Sequence, residues 1–519
     1  MQSNRSGPDG ARLTVVGERE ELSAGWPEHP VVHEIFAWVW LADLERIAGR
    51  PLTLVDVPDD VWDDVARPGI DAVWLMGVWE RSPVGAAIAR SEPSMVESQR
   101  AALGDVTDAD VVGSAYCVRD YVVDQRLGGD EGLAVARAAL AARGVRLVLD
   151  FVPNHVAPDH PWVASRPELF VRGSRDDLRR DPASFFEVGE HVFARGRDPY
   201  FPAWPEVLQL DASSADLRAA AADLVVGLTE RCDALRCDMA MLMLDDVFHR
   251  TWGDRASGGP APDGGRGYWP TVIGAARAVR SDFAFWAEAY WDLEPVLLDQ
   301  GFDACYDKGL YDLLAHRAPA GEFLAHVAVD PAVQRRTVRF VENHDEPRAA
   351  AVFDGVEHRA ALVSAFTLPG VALLHEGEAD GRHVRVPVTL GRRPDEPRDM
   401  ELGHFVDRLL AALAGGLREG DWTLVPVEGW SDNRSAERLA AWSWTSSGTR
   451  HLIVVNLSGE RADGMVRLGS ADLPPEVVFD DLLSGERYER DGAQLIAGGL
   501  YVALDGHGVH VLRMRRPVP

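Results

Sequence analysis

Eight short apolar runs rich in β-formers recur along this chain with helical stretches between them, and that alternation constrains the fold more than any other feature. The runs are VVHEIFAWVW (31–40), DAVWLMGVW (71–79), VRLVLDFV (145–152), ALRCDMAM (234–241), AFWAEAYW (284–291), ACYDKGLY (304–311), RTVRFVENH (336–344) and GVALLHEGE (370–378). Each is apolar almost without interruption, the pattern of parallel strands buried on both faces. Intervening segments such as GLAVARAALAARG, which stops at Gly144, have helical spacing. In SSADLRAAAADLVVGLTERC, Ser213 and Asp216 are expected to form a capping box. Eight strand–helix units predict an α/β fold, a (β/α)8 barrel.

The rhythm breaks in two places. Between Val156 and Trp204 lies a stretch rich in Pro, Arg and Asp, too long for a βα connection and therefore a small subdomain inserted after the third strand. After ELGHFVDRLLAALAGGL (401–417) the pattern changes to short alternating runs separated by Gly, Ser and Asp, which predicts a C-terminal antiparallel β-sandwich over 418–519. The barrel is thus expected over 31–155 and 205–417, the insertion over 156–204, and a loose N-terminal extension over 1–30.

Charge narrows the ligands. The 53 Lys and Arg residues against 82 Asp and Glu leave −29, which repels nucleic acid and anionic membrane surfaces and favours neutral or cationic partners. Four cysteines with no CxxC spacing read as reduced thiols. No stretch approaches the roughly 18 apolar residues of a membrane span, and the first residues lack a basic patch followed by an apolar run, so a cytoplasmic location is expected.

Barrel enzymes take their catalytic groups from the C-terminal ends of strands. Here the third run ends in Asp150 and leads to Asn154 and His155; the fourth carries Arg236 and Asp238; the fifth carries Glu288; the seventh ends in Asn343, His344 and Asp345. Singly, each has a structural explanation: Asp150 as a turn former, Asp238 with Arg236 as a buried ion pair, either histidine as a hydrogen-bonded core residue. Four strand ends that all carry carboxylate or imidazole are hard to explain by packing alone, because Asp and Glu are poor strand formers and costly to bury.

The same residues carry a family resemblance. DFVPNH (150–155), LRCDMAML (235–242), AEAYW (287–291) and FVENHDEPR (340–348) resemble, in order, the four motifs of the α-amylase family, glycoside hydrolase family 13. GSAYCVRDY (113–121) and VLQLD (207–211) are softer matches. The resemblance implies a retaining α-glycoside hydrolase acting on α-linked glucosides or α-glucans, with Asp238 as nucleophile, Glu288 as general acid and then base, and Asp345 gripping sugar hydroxyls. It further implies that His155 and His344 bond the sugar, that Tyr116 stacks under the ring, and that Asp150 and Arg236 complete the substrate site. Arg236, on the same strand face as Asp238, is expected to hold it ionised. Glu288, among apolar and aromatic neighbours, is expected to stay protonated.

The chain also departs from that family. Where starch-hydrolysing members carry Lys and His after the nucleophile, it has Met241 and Leu242, so an apolar acceptor side is expected. Where exo-acting α-glucosidases place an Asp before the stacking tyrosine, it has Gly113. A transglycosidase and a non-catalytic glycan binder are therefore alternatives. No cofactor is expected to be required; the resemblance marks Asn154 as a position where family members bind calcium, while Asp176, Asp177 and Asp181 of the insertion read as a solvated acidic loop, with further calcium oxygens as the alternative. The Arg-rich run 382–398 reads as a salt-bridged surface loop, or as a steering site for an anionic sugar.

Overall fold

Side chains two apart in a strand share a face, so each apolar run offers one face to a barrel axis and the other to a surrounding helix. The computed structural model, which describes residues 25–258, 267–446, 448–469 and 473–515, closes eight parallel strands into a barrel. These are β1 (Val31–Phe36), β2 (Ala72–Met76), β3 (Arg146–Phe151), β4 (Ala234–Cys237), β5 (Ala284–Ala287), β6 (Ala304–Tyr306), β7 (Thr337–Arg339) and β8 (Val371–His375). They follow one another around the barrel in chain order, and β8 closes on β1 with Val31 opposite Ala372. Each of the eight runs holds one strand, shorter than the run at its C-terminal end. There the chain leaves the ladder for the loops that carry the polar residues, or turns directly into helix, as at α1 (Ala37–Ala48).

Inside the barrel the residues alternate by size. Ala72, Val148, Ala234, Ala284 and Ala304 form a small apolar layer that leaves room for Trp74, Trp286 and Tyr306 in the same cluster. Arg236 lies level with Asp150 on one side and Trp286 on the other. The outer shell includes α2 (Gly129–Ala141), α3 (Ala215–Leu228), α4 (Tyr268–Val279), α5 (Glu294–Asp299), α6 (Lys308–Ala315), α7 (Gly355–Phe366) and α8 (Met400–Ala414). The start of α3 differs from expectation: Ser214 is the cap, its hydroxyl accepting from Leu217 N–H. The Ser213 hydroxyl donates to Asp211 and accepts from Gly258 N–H instead, tying the loop rather than the helix.

After β3 the chain forms a three-stranded sheet of Arg172–Gly173, His191–Ala194 and Phe185–Val188. The two ends of the insertion meet where His155–Val156 pairs antiparallel with Leu208–Gln209. Of the expected N-terminal extension, residues 1–24 lie outside the described residues, while 25–30 are packed rather than loose. The Trp26 ring meets the barrel residue Trp286 edge-on at 5.2 Å under the Arg146 guanidinium, and His29 Nδ1 accepts from Gly370 N–H. Apolar area explains this, since Trp26 covers the end of the barrel interior.

The C-terminal unit pairs a six-stranded antiparallel sheet with a three-stranded one around their own core, which includes Leu439, Val454, Val466 and Val502. The Trp442 and Trp444 indoles both donate to the Thr367 carbonyl just beyond α7, at 3.2 and 2.7 Å, which fixes this unit to the barrel. All four cysteines are free and buried. Among the described residues no helix is long and apolar enough to cross a membrane.

Candidate active site

β4 stays in register with β3, and β5 with β4, past their ends. Asp238 N–H donates to Phe151 O at 2.8 Å, and Glu288 N–H to Cys237 O at 3.0 Å. Between them Met239 takes a left-handed conformation (φ 42°), unusual for a side chain of its kind. That turn aims Met239 N–H at Glu288 Oε2, 2.7 Å away.

Beneath lies the Arg236 guanidinium, 1% exposed. Its Nη1 donates to Asp238 Oδ1 at 2.8 Å and its Nη2 pairs with Glu288 Oε2 at 2.7 Å. The rings of Trp74, Tyr116 and Tyr306 surround it at 5.2, 5.2 and 5.6 Å, and Nε donates to the Tyr306 hydroxyl. A planar fork with several donors suits such a bridge in a way that an ammonium would not. Two expectations are corrected here. Glu288 does not stand alone among apolar neighbours, because the same arginine reaches it from β4. Asp238 is not held low: burial first, and the Glu288 charge second, push its carboxyl up to about 8 against the pull of Arg236. One cation serving two buried carboxylates cannot keep both fully ionised.

Asp345 enters from the loop after β7, where Asn343 Oδ1 accepts from the N–H groups of Asp345 and Glu346. Its carboxylate is 43% exposed and lies 3.0 Å from His344 Nε2. Burial works against its charge, but His344, then Arg236 and Arg385, hold it below the usual carboxylate range. Asp238 feels the Asp345 charge, and Tyr290 feels both Glu288 and Asp345, so the three carboxylates share one site.

Other expected residues surround them. The Tyr116 hydroxyl is 2.7 Å from His344 Nε2, and the two rings stack at 5.3 Å. Asp150 is buried, and both its oxygens are engaged: Oδ1 accepts from Trp74 Nε1 and Oδ2 from Gly77 N–H, where a φ of 75° calls for glycine. Burial raises its carboxyl, with Arg236 opposing. The His155 ring faces Asn154 Nδ2 and the Tyr116 main chain, and burial lowers it to about 4, so it is neutral.

Met241 and Leu242 do not make an apolar acceptor side. Both lie in the turn Ala240–Met243 and are buried in the barrel's outer core, because the reversal at Met239 directs the chain inward. The loop 382–398 is salt-bridged as read: Arg393 pairs with Asp43 and Glu376, Arg392 with Asp105 and Asp110, and Arg398 with Asp380. The exposed Arg385 donates to the Asp345 carbonyl.

Asn154 does not fit calcium. Its Oδ1 and its main-chain oxygen both accept from Gln209 Nε2, at 2.8 and 2.9 Å, and the Leu210 carbonyl accepts from the same nitrogen at 3.0 Å. A donor amide stands where oxygens would have to converge on a cation. The acidic residues of the insertion are committed too: Asp177 closes a capping box with the N-cap Ser174 and pairs with Arg255, Asp176 pairs with Arg179, and Asp181 accepts from Ser184 N–H. Among the described residues no three His, Cys, Asp or Glu side chains are grouped to hold a metal.

Sequence reasoning missed Glu34, Trp74, Gln209, Tyr290 and Tyr306. Tyr290 donates its hydroxyl to Glu288 Oε1 at 2.7 Å, and the Glu34 carboxylate meets His344 Nδ1 at 2.5 Å. Glu34 had a signal, being the acidic residue inside the apolar run VVHEIF.

No protein-family model matches the chain. It is 24% identical over 500 residues to alpha-amylase MalA of Haloarcula japonica, which covers 91% of this chain and 61% of that protein. It is 21% identical over 270 residues to alpha-amylase 3 of Dictyoglomus thermophilum, about half of each. The chain thus spans less than two thirds of these curated relatives. Among solved structures, it superposes on the noncanonic maltogenic alpha-amylase AmyB from Thermotoga neapolitana with a TM-score of 0.67 at 17% identity, covering 94% of this chain and 99% of that one. The acarbose complex of alpha-amylase from Geobacillus thermoleovorans gives 0.64 at 16% identity, covering 95% and 99%.

Proposed function

We propose that this chain is a member of the α-amylase family and a retaining α-glycoside hydrolase acting on α-linked glucosides or α-glucans. The observation that carries the reading is the Arg236 guanidinium bridging the Asp238 and Glu288 carboxylates. Two carboxyls held on one fork are close neighbours, which suits the roughly 5–5.5 Å spacing of a retaining pair better than the wider gap that admits a water.

In this reading Asp238 attacks the anomeric carbon and forms a glycosyl ester, while Glu288 gives its proton to the departing oxygen. Glu288 then takes a proton from the water that opens the ester. The pair needs one proton between them at neutral pH, and the raised Asp238 supports that state. In the resting structure Glu288 Oε2 accepts from Met239 N–H and Oε1 from Tyr290, so substrate must displace these contacts and the shared proton must pass to Glu288 before it is given to the departing oxygen. Asp345 accepts from sugar hydroxyls, and Tyr116, its ring stacked on His344 beside Arg236, lines the site of the glycosyl unit.

The relatives named as alpha-amylases support the substrate class. The buried free thiols suit a reducing compartment, which supports a cytoplasmic location.

Incubation with maltooligosaccharides, sucrose and trehalose, with products resolved by chromatography, tests the reading. Shortened oligosaccharides or glucose are expected. Longer or rearranged products would move the assignment to transglycosylation, and binding without any product would replace it with a glycan-binding role.

A further inference from the structure

We propose that Glu34, near the C-terminal end of β1, is a positioning residue for this reaction: its carboxylate fixes His344 as an imidazolium whose Nε2–H is presented to Tyr116, Asp345 and the sugar. The kinetic part of this inference rests on the glycosidase reading; the structural part does not.

Glu34 is 0% exposed, and a carboxylate so placed is costly unless a partner compensates it. Its Oε1 meets His344 Nδ1 at 2.5 Å, and its Oε2 has no hydrogen-bond partner among the described residues. The histidine is therefore its compensating group. The other ring nitrogen, Nε2, lies 3.0 Å from Asp345 Oδ2 and 2.7 Å from the Tyr116 hydroxyl. A neutral imidazole has one N–H: with that proton directed at Glu34, the bare Nε2 could accept from Tyr116 but would set its lone pair against the Asp345 carboxylate, whereas the imidazolium presents an N–H to each carboxylate. Trp74, edge-on at 5.5 Å, and Tyr116, stacked at 5.3 Å, fix the ring plane.

The groups that face His344 come from every neighbouring element: Glu34 on β1, Trp74 on β2, Tyr116 after it, Asp150 on β3, Asp345 on the same loop and His375 on β8. His375 brings no second cation. Burial, and then Arg348, push it well below its ordinary value, and its Nδ1 accepts from Arg348. Burial also opposes the His344 cation, but Asp345 and then Glu34 outweigh it and lift the imidazole to about 10. Of these two carboxylates Asp345 is partly exposed and Glu34 is sealed from water, so Glu34 is the partner that solvent and substrate cannot displace. His344 in turn is what keeps Asp345 ionised and aimed. Glu34 thus acts through His344 and never touches the sugar.

The test is an NMR titration of the full chain with ring-labelled histidine, in wild type and Glu34→Gln, with His344→Gln assigning the signal. The wild-type His344 resonance is expected to remain that of the imidazolium beyond about pH 9, and Glu34→Gln to titrate at least about one unit lower. On maltooligosaccharides, the loss of kcat/KM in Glu34→Gln is expected to grow as pH rises, and Glu34→Asp, which keeps the charge on a shorter arm, to recover part of it.

A wild-type His344 that titrates near its ordinary 6.5 overturns the proposal without any variant. So does a titration identical in wild type and Glu34→Gln, or an equal, pH-independent loss in both Glu34 variants. If no α-glucoside is turned over at all, the glycosidase reading fails while the titration still decides the role of Glu34.

Discussion

Arg236 Nη2 lies 2.7 Å from Glu288 Oε2, while Nη1 of the same guanidinium lies 2.8 Å from Asp238 Oδ1. One buried cation is thus divided between two carboxylates. The sharing draws them to neighbouring atoms of one planar group and leaves room for a single proton between them.

Arg236 reaches both carboxylates from separate nitrogens of one planar group, so Arg236→Lys, which keeps the charge but offers one nitrogen, is expected to lower kcat by about a hundredfold or more. Steady-state kinetics beside a circular-dichroism melt check this. Unchanged kcat in a folded variant would mean that the fork is dispensable.

The Asp238 carboxyl is raised from 3.8 to about 8 in the folded chain. The folded protein therefore keeps a proton that the unfolded chain has lost, and stability falls as pH rises from about 4 to about 8. Asp238→Asn removes this titration. Its Tm relative to wild type is expected to rise across that interval while turnover is abolished, as melts and assays at a series of pH values would record. The wild-type kcat/KM is expected to fall as pH rises through about 8, where the pair loses the proton that the departing oxygen needs.

Tyr290 is half-buried and donates to Glu288 Oε1. A hydrogen bond to a charged group contributes about 1.5–3 kcal/mol, so Tyr290→Phe should cost about ten- to a hundredfold in kcat/KM with little change in Tm. A wild-type kcat/KM would show that the hydroxyl leaves Glu288 once substrate is bound.

The Gln209 amide occupies the oxygens around Asn154. Chelation by EDTA is therefore expected to leave Tm and activity unchanged, and added calcium to raise neither. Gln209→Ala, which orphans buried carbonyls, is expected to lower stability by about 1–3 kcal/mol. A drop in wild-type Tm on chelation, restored by calcium, would contradict the assignment.

Much of this was legible in the sequence because burial on two faces leaves a period-free apolar run, and eight such runs leave few topologies. The acidic residues at their ends stood out for the same reason, as Asp150, Asp238 and Glu288 do in the structure. What stayed hidden depends on pairing between distant segments. Arg236 lies 52 positions before Glu288, and nothing local to AFWAEAYW announces that they meet. The turn at Met239 that sends Met241 and Leu242 into the core is likewise set by the β4–β5 register rather than by local propensity. The capping serine was misplaced by one because Ser213 and Ser214 are alike in sequence, and only the loop bond to Asp211 distinguishes them.

The most direct test of the central claim is to trap the glycosyl-enzyme with a fluorinated α-glucosyl fluoride and locate the added mass by peptide mass spectrometry. The account predicts one adduct, on Asp238, and an α-configured first product from untrapped substrate. An adduct on a different carboxylate, or a β-configured first product with no adduct, would contradict it.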